Sequence, residues 1–223
     1  MPVRGPVLGS IDDRWYLRLN RITAHSTWLH GPMRLVAADG VVVFVALLGV
    51  AFVLARRRND RTMAAALWAP IGVLLAEALN QPLGRAINEP RPYALHPNAV
   101  VLLARGHDFS FPSDHGVMAG AVTAGVFLVS WRLGCVAAAA AAVLAFSRVY
   151  VGAHYPGDVV AGLAFGAVVM LLGWLIVRRG LTGLVWRLRD HHRFDGVLGA
   201  GIRAAARPAT EVPATARRGR GSG

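Results

Sequence analysis

Apolar residues occur along the chain in long blocks that are separated by short polar segments. The first block covers residues 35–55 and contains one charged residue, Asp39. At about 1.5 Å per residue, a helix of that length crosses a hydrocarbon core of about 30 Å. Four further blocks follow, at residues 63–80, 116–131, 133–146 and 159–177. The pattern predicts an all-α, polytopic membrane helical bundle with about five transmembrane helices.

The segments that flank these blocks have a different character. Residues 11–35 mix aromatic and aliphatic side chains with arginines, which predicts an N-terminal amphipathic helix in the membrane interface. A buried core helix is the alternative. Because the first apolar block begins only at residue 35 and is long enough to span, we expect no cleaved signal peptide. We therefore predict an interfacial segment (1–34), a transmembrane domain (35–180) and a basic, partly disordered tail (181–223).

Charge and composition narrow the functional class. The chain has 24 basic and 12 acidic residues, a net charge of +12, and all of its basic residues are arginines. A nucleic-acid-binding protein can carry such a charge, but 55% hydrophobic and only 16% charged residues argue against that class. The single cysteine, Cys135, rules out a disulfide framework and a cysteine zinc site.

The placement of arginines between the blocks predicts the orientation. If five spans alternate in direction, residues 56–61, Arg132 and residues 178–179 lie on one side, which the excess of arginine marks as cytoplasmic. Residues 81–112 and 148–157 then lie on the opposite side, together with the N-terminus. We expect the chain to begin outside the cytoplasm and to end inside it.

Polar residues of types that can catalyse reactions or bind ligands cluster in the predicted outer loops, in three stretches beside span ends. These stretches contain Arg91 (residues 80–93), Ser113 and His115 (residues 111–115), and Arg148, His154 and Asp158 (residues 147–158). Because alternate spans return to the same membrane face, the three stretches are expected to meet at one interface.

The residue types in these stretches suit phosphate chemistry. Arg91 and Arg148 carry guanidinium groups that match phosphate oxygens, and Ser113 marks a helix start where free N–H groups attract anions. Asp158 is four residues after His154, where its carboxylate can hold Nδ1–H and leave Nε2 free to attack. His115, as an imidazolium, can protonate a leaving group.

The order Arg-Pro, Pro-Ser-x-His and Ser-Arg-x5-His-x3-Asp resembles the type 2 phosphatidic acid phosphatase superfamily over about residues 80–165. This resemblance implies a phosphohydrolase that works without a metal or other cofactor, through a phosphohistidine intermediate. It implies that His154 is the nucleophile, that Asp158 orients it and that His115 is the general acid. Residues implied to bind the phosphoryl oxygens are Arg91, Ser113 and Arg148.

Two positions depart from the usual pattern of that family. Its first motif usually opens with a lysine seven residues before the arginine, where this chain has Gly84, so we predict that the adjacent Arg85 binds phosphate instead. Asp114 occupies a position where many members have glycine, and we include it in the phosphate-binding set. Because a carboxylate repels phosphate, we expect Asp114 to point toward Arg85 or into the helix dipole. Bacterial undecaprenyl-diphosphate phosphatases of the bacitracin-resistance type resemble this chain at both positions.

The resemblance implies an enzyme of the bacterial plasma membrane, active in cell-wall biogenesis, with its site facing outward. Its expected reaction converts undecaprenyl diphosphate into undecaprenyl phosphate and phosphate. Phosphatidic acid, phosphatidylglycerol phosphate and a polyprenyl-phosphate sugar are alternative substrates, and a lipid or anion transporter is the alternative without catalysis. The expected partners are a membrane-embedded lipid phosphate and the surrounding lipids, not nucleic acid, and the oligomeric state stays open.

Overall fold

The computed structural model describes residues 6–106, 108–190 and 195–199, and every regular element in those ranges is helical. The prediction of an all-α fold is therefore confirmed. The helices are α1 (Gly9–His25), α2 (His30–Asp39), α3 (Val41–Ala55), α4 (Asp60–Ile87), α5 (Pro92–Leu95), α6 (Asp114–Val129), α7 (Trp131–Tyr150), α8 (Pro156–Asp190) and α9 (Asp195–Leu198), with one 3₁₀ turn (Thr27–Leu29) between α1 and α2.

Not all of the predicted spans are equally long. Of the described helices, α4, α7 and α8 are each long and apolar enough to cross a membrane. The α2–α3 pair is bent by 53° at Gly40 and makes a fourth span if its two helices count together. Helix α6 has 16 residues, fewer than the roughly 20 that an ordinary span needs. The predicted count of five is thus not confirmed by length and composition.

The end of α8 differs from the prediction. The helix continues to Asp190, so the domain boundary that we placed at residue 180 falls within a helix. Its last turn is anchored by Arg189, which pairs with Asp60 at 2.9 Å and also donates to the carbonyl oxygen of Leu198 at 3.0 Å. Residues 200–223, where disorder is predicted, lie outside the described residues.

Helix α6 lies at the centre of the bundle, where it contacts α3, α4, α7 and α8. Its contact with α8 depends on glycines, because a Cβ at Gly120 would clash with the carbonyl oxygen of Leu163, and a Cβ at Gly166 with that of Val117. Small residues allow helix backbones to approach this closely within a membrane. The close packing fixes the N-terminal ends of α6 and α8 side by side, and both ends carry predicted site residues.

The two ends of the bundle carry different chemistry. At one end, Arg58 donates to the carbonyl oxygen of Val129 at 3.2 Å, and Arg189 pairs with Asp60. These contacts place the arginine-rich α3–α4 connection beside the C-terminal ends of α6 and α8. The three polar stretches meet at the opposite end, as alternate threading of the spans predicts.

Helix α1 packs on the bundle through a polar face. Its buried residues are Asp12, Tyr16, Asn20 and Thr23. Its exposed apolar residues include Ile11, Trp15 and Ile22. The outward apolar face fits the predicted interfacial position, while the inward polar groups need partners within the protein. Asn20 finds them in the backbone of Val100, to which it donates at 2.8 Å and from which it accepts at 3.0 Å.

Candidate active site

The three polar stretches meet around the imidazole of His154, which is only 2% exposed and lies in the connection between α7 and α8. Arg91 is the residue before α5, and Arg148 belongs to the last turn of α7. Arg91 Nη1 lies 3.2 Å from His154 Nε2, and Arg148 Nη2 lies 3.4 Å from the same atom. The fold therefore brings Arg91 of the first stretch together with Arg148 and His154 of the third.

The partners of His154 determine its tautomer. Guanidinium groups donate hydrogen bonds and cannot accept them, so Nε2 must present its lone pair to both arginines. Nδ1 then carries the proton and donates it to the carbonyl oxygen of Ser110 at 3.0 Å. Burial, followed by the charges of Arg91 and Arg148, lowers the pKa of His154 well below its ordinary value. At neutral pH the ring is therefore neutral, with a free lone pair between two cations.

Arg148 is a buried cation, 7% exposed, that forms no ion pair with a carboxylate among the described residues. Its Nη1 donates to the carbonyl oxygen of Ala37 at 3.0 Å, in the last turn of α2. A buried charge without a counter-charge is unfavourable, and an anion next to it relieves that penalty. The space beside Nε2 is therefore suited to an anion.

Two groups lie near Nδ1 of His154, the carboxylate of Asp158 and the backbone carbonyl of Ser110. Asp158 Oδ2 lies 3.5 Å from that nitrogen, whereas the carbonyl oxygen of Ser110 is nearer. Asp158 Oδ2 instead accepts hydrogen bonds from the Ser110 hydroxyl at 2.5 Å and from the Tyr155 backbone N–H at 2.9 Å. Ser110 thus contacts both Asp158 and the imidazole, and the role of Asp158 in orienting His154 stays a prediction. Ser110 is not recognisable as a site residue from the sequence, because a single serine outside the motif spacing carries no signal.

Ser113 lies at the N-terminus of α6, as predicted. Its Oγ accepts from the N–H of Gly116 at 3.4 Å, and its own N–H donates to the carbonyl oxygen of Asp158 at 3.1 Å. The first turn of a helix offers further N–H groups without intrahelical partners, and these favour an anion. Ser113 is therefore placed to join α6 to α8, and its contact with phosphate stays a prediction.

His115 is the second residue of α6 and is half-buried. It lies close enough to Arg91, Arg148 and His154 to be influenced by their charges. This position brings a second imidazole to the same end of the bundle as the nucleophile candidate. Its role in proton transfer stays a prediction.

Two other predicted residues point elsewhere. Asp114 Oδ1 accepts from Asn80 Nδ2 at 2.7 Å and from Gln81 Nε2 at 3.2 Å, so its carboxylate is held by amides of α4. The expected contact between Asp114 and Arg85 is not formed. Arg85 is exposed in the last turn of α4, and within the described part of the chain it makes no hydrogen bond or ion pair. Phosphate binding by Asp114 and Arg85 stays a prediction.

Asp108 occupies the outer edge of the Arg91 guanidinium. Arg91 Nε donates to Oδ1 at 2.9 Å and Nη2 to Oδ2 at 2.7 Å, while Nη1 faces His154. Burial raises the pKa of the Asp108 carboxyl, but the hydrogen bonds and charge of Arg91 outweigh it, so the pKa lies below its ordinary value. An ionised carboxylate bound to the Arg91 guanidinium competes with phosphate, because phosphate oxygens fit the same N–H donors.

We expect Asp108→Asn to bind inorganic phosphate about 5-fold more tightly, because it removes about 1 kcal/mol of repulsion and competition near Arg91. Isothermal titration of the purified protein with inorganic phosphate measures this change. Asp13→Asn is the matched control, since Asp13 pairs with His96 at 2.6 Å and does not contact Arg91. Weaker binding by Asp108→Asn would mean that Asp108 holds Arg91 in place instead of competing with the anion.

Comparison with known proteins gives this arrangement a family context. The sequence profile of the PAP2 superfamily matches residues 65–181, which include every predicted site residue. The chain is 41% identical over 119 residues to the lipid A 1-phosphatase of Rhizobium johnstonii, a match that covers 52% of this chain and 46% of that protein. It is 26% identical over 160 residues to the undecaprenyl-diphosphatase BcrC of Bacillus subtilis, covering 72% of this chain and 79% of that protein.

A solved structure supports the fold. The crystal structure of the first transmembrane PAP2 type phosphatidylglycerolphosphate phosphatase from Bacillus subtilis is similar, with a TM-score of 0.55 at 22% identity. The similarity covers 76% of this chain and 86% of that chain. At this identity the likeness concerns the arrangement of helices.

Proposed function

Since the chain belongs to the PAP2 superfamily, we propose that it removes the terminal phosphate from a polyprenyl diphosphate, with undecaprenyl diphosphate as the leading substrate. The chain is a multi-pass membrane protein and a phosphoric-ester hydrolase of the lipid phosphatase kind. The relative named undecaprenyl-diphosphatase, which the chain matches over 79% of its length, supports the diphosphate. The relatives named for lipid A and for phosphatidylglycerolphosphate support a lipid monophosphate as the alternative.

One observation carries the proposal: two guanidinium groups face the lone pair of a neutral, buried histidine. A phosphoryl group between Arg91 and Arg148 would place its oxygens on both cations and its phosphorus beside His154 Nε2. Its negative charge would also balance the buried positive charge of Arg148, which pairs with no carboxylate among the described residues. Ser113 and the first-turn N–H groups of α6 would add neutral donors to the same oxygens.

In the proposed first step, His154 Nε2 forms a bond to phosphorus while the bond between phosphorus and the leaving oxygen breaks. The nitrogen lone pair becomes the new bond, and the electrons of the broken bond leave with the oxygen. His115 donates a proton to that oxygen where the leaving group requires one. Positive charge develops on the His154 ring, and the Ser110 carbonyl and the Asp158 carboxylate stabilise it from the Nδ1 side.

In the proposed second step, water attacks the phosphohistidine. The bond between Nε2 and phosphorus breaks, its electrons return to the ring, and neutral His115 takes the proton that water loses. Where His115 gave no proton to the leaving group in the first step, it then releases this proton to the solvent. The products are inorganic phosphate and the enzyme in its starting state. The sequence of steps uses no metal and no other cofactor.

We propose that the chain crosses the plasma membrane five times, with the bent α2–α3 pair and the shorter α6 as two of the spans. The site would then face outward, and the arginine-rich end around Arg58 and Arg189 would face the cytoplasm. A reporter that works only in the cytoplasm should be active when it is fused after Asp190. Activity of a reporter that works only in the periplasm, fused at the same position, would contradict the proposed orientation.

The test of the function is phosphate release by the detergent-purified protein. Undecaprenyl diphosphate, phosphatidic acid and phosphatidylglycerol phosphate are compared with and without a chelator. We expect the highest kcat/KM on the diphosphate and the same rates in chelator. A higher value on a monophosphate would assign the alternative substrate. Absence of release from all three would refute the phosphatase, and loss of activity in chelator would refute the metal-independent mechanism.

A further inference from the structure

Helix α1 reaches the base of the candidate active site through Asp12. Asp12 Oδ1 accepts a hydrogen bond from the backbone N–H of Gly157 at 2.8 Å, across 145 residues of sequence. Gly157 lies in the first turn of α8, between His154 and Asp158. Because Pro156 has no N–H, Gly157 provides the first free N–H of that helix, and Asp12 satisfies it.

Glycine at position 157 leaves room for the contact between Asp12 and α8. A Cβ there would lie 2.6 Å from Asp12 Oδ2 and nearer still to Leu8 Cδ1, so both side-chain ends would have to shift. The turn that holds His154 and Asp158 therefore accommodates a carboxylate from α1. In the same turn, Asp158 accepts from the Tyr155 N–H at 2.9 Å, so both carboxylates brace the start of α8.

A second contact links the N-terminal segment to the other support of His154. The N–H of Val7 donates to Glu89 Oε1 at 2.9 Å, and the carbonyl oxygen of Glu89 accepts from the N–H of Ser110 at 2.8 Å. Ser110 is the residue whose carbonyl oxygen accepts from His154 Nδ1. Residues 7–12 thus touch both loops that orient the imidazole.

These contacts carry an energetic cost. Asp12 Oδ2 and Glu89 Oε2 are buried and have no hydrogen-bond partner within the described residues. Burial raises the pKa of the Asp12 carboxyl, the N–H of Gly157 opposes that rise, and the charge of Asp158 adds to it. Unpaired buried carboxylate oxygens destabilise a fold. If α1 only had to lie at the membrane interface, these buried carboxylates would bring it no advantage.

On the basis of the proposed function, we propose that Asp12 is a positioning residue for the phosphotransfer site. By holding the Gly157 N–H it fixes the first turn of α8, and with it the positions of His154 and Asp158. It touches neither substrate nor the reacting atoms. A nucleophile must be held within a fraction of an ångström, and a displacement of about 1 Å can cost about 10²-fold in rate.

The test compares Asp12→Ala, Asp12→Asn and Asp13→Ala in the full-length, detergent-purified protein. We expect Asp12→Ala to lower kcat at least about 10-fold with KM little changed. Asp12→Asn keeps an oxygen that can accept from Gly157, so it should retain kcat within about twofold. Asp13→Ala also removes one docking contact of α1, the pair with His96, and should behave like the wild type.

Hydrogen–deuterium exchange separates this inference from the proposed function. Asp12→Ala should speed exchange of the amides in residues 154–158, and Asp13→Ala should not. If the wild type hydrolyses no lipid, the proposed function fails and the exchange data alone decide the inference. Unchanged exchange in Asp12→Ala, unchanged kcat on a hydrolysed lipid, or equal loss in Asp12→Asn and Asp12→Ala would each overturn the positioning role.

Discussion

Replacement of His154 with alanine is expected to lower phosphate release from the lipid substrate at least about 10⁴-fold, because removal of a nucleophile eliminates the covalent route. His154→Asn should be equally inactive. Asparagine retains an N–H that can donate to the Ser110 carbonyl oxygen, but it has no nucleophilic nitrogen. Equal loss in the two variants would show that the missing lone pair is the cause, and not a disturbed loop.

The control for this experiment is His96→Ala, since His96 pairs with Asp13 outside the candidate site and should leave turnover intact. Alkali-quenched reactions with ³²P-labelled substrate provide a second measurement. The wild type should form an acid-labile, alkali-stable protein label, and the His154 variants should form none. A label that persists in His154→Ala would assign the nucleophile to another residue, and normal phosphate release by that variant would refute His154 as the nucleophile.

The convergence of the site residues could be predicted because it depends on two simple regularities. Apolar blocks of sufficient length alternate in direction, so polar stretches between them return to the same face. Within one stretch, the spacing of His154 and Asp158 places both at the start of one helix. These two facts predict that the three stretches meet at one interface, and in the structure Arg91 and Arg148 lie 3.2 Å and 3.4 Å from His154 Nε2. That both arginines contact this particular atom does not follow from the two regularities.

Contacts between distant parts of the chain could not be predicted in the same way. The partner of His154 Nδ1 is the carbonyl oxygen of Ser110, 44 residues away, and every residue has a carbonyl group. The partner of the Gly157 N–H is Asp12, 145 residues away on another helix. Nothing in the local pattern of either position distinguishes it from its neighbours. Only the packing of α1 and of the loop before α6 selects these atoms.

The predicted count of five spans is not confirmed by helix length and composition, for a related reason. Hydropathy measures how apolar a block is, but it does not register where a helix bends or ends. Gly40 divides the first block between α2 and α3, and Ser130 ends α6 one residue before α7 begins. The Ser130 hydroxyl accepts from the N–H of Leu133 at 3.5 Å, which makes the connection a helix cap and limits α6 to 16 residues.

The effect of His115→Asn should depend on the leaving group. On phosphatidic acid the leaving oxygen is an alkoxide, a strong base that departs slowly without a proton, so loss of a general acid should slow the first step about 10²–10⁴-fold. On undecaprenyl diphosphate the leaving group is a lipid monophosphate with a pKa of about 6, which departs at pH 7 without a proton. The loss on the diphosphate should therefore be at least about 10-fold smaller.

Pre-steady-state formation of the lipid product is the measurement, because it reports the first step apart from hydrolysis of the phosphohistidine, in which His115 would act as the base. An equal loss of the burst rate on both substrates would contradict the general-acid role. It would instead place His115 among the groups that bind phosphate oxygens beside Arg91 and Arg148, since such a contact serves both substrates alike. The comparison thus separates proton transfer from charge stabilisation at a residue that is influenced by both arginines.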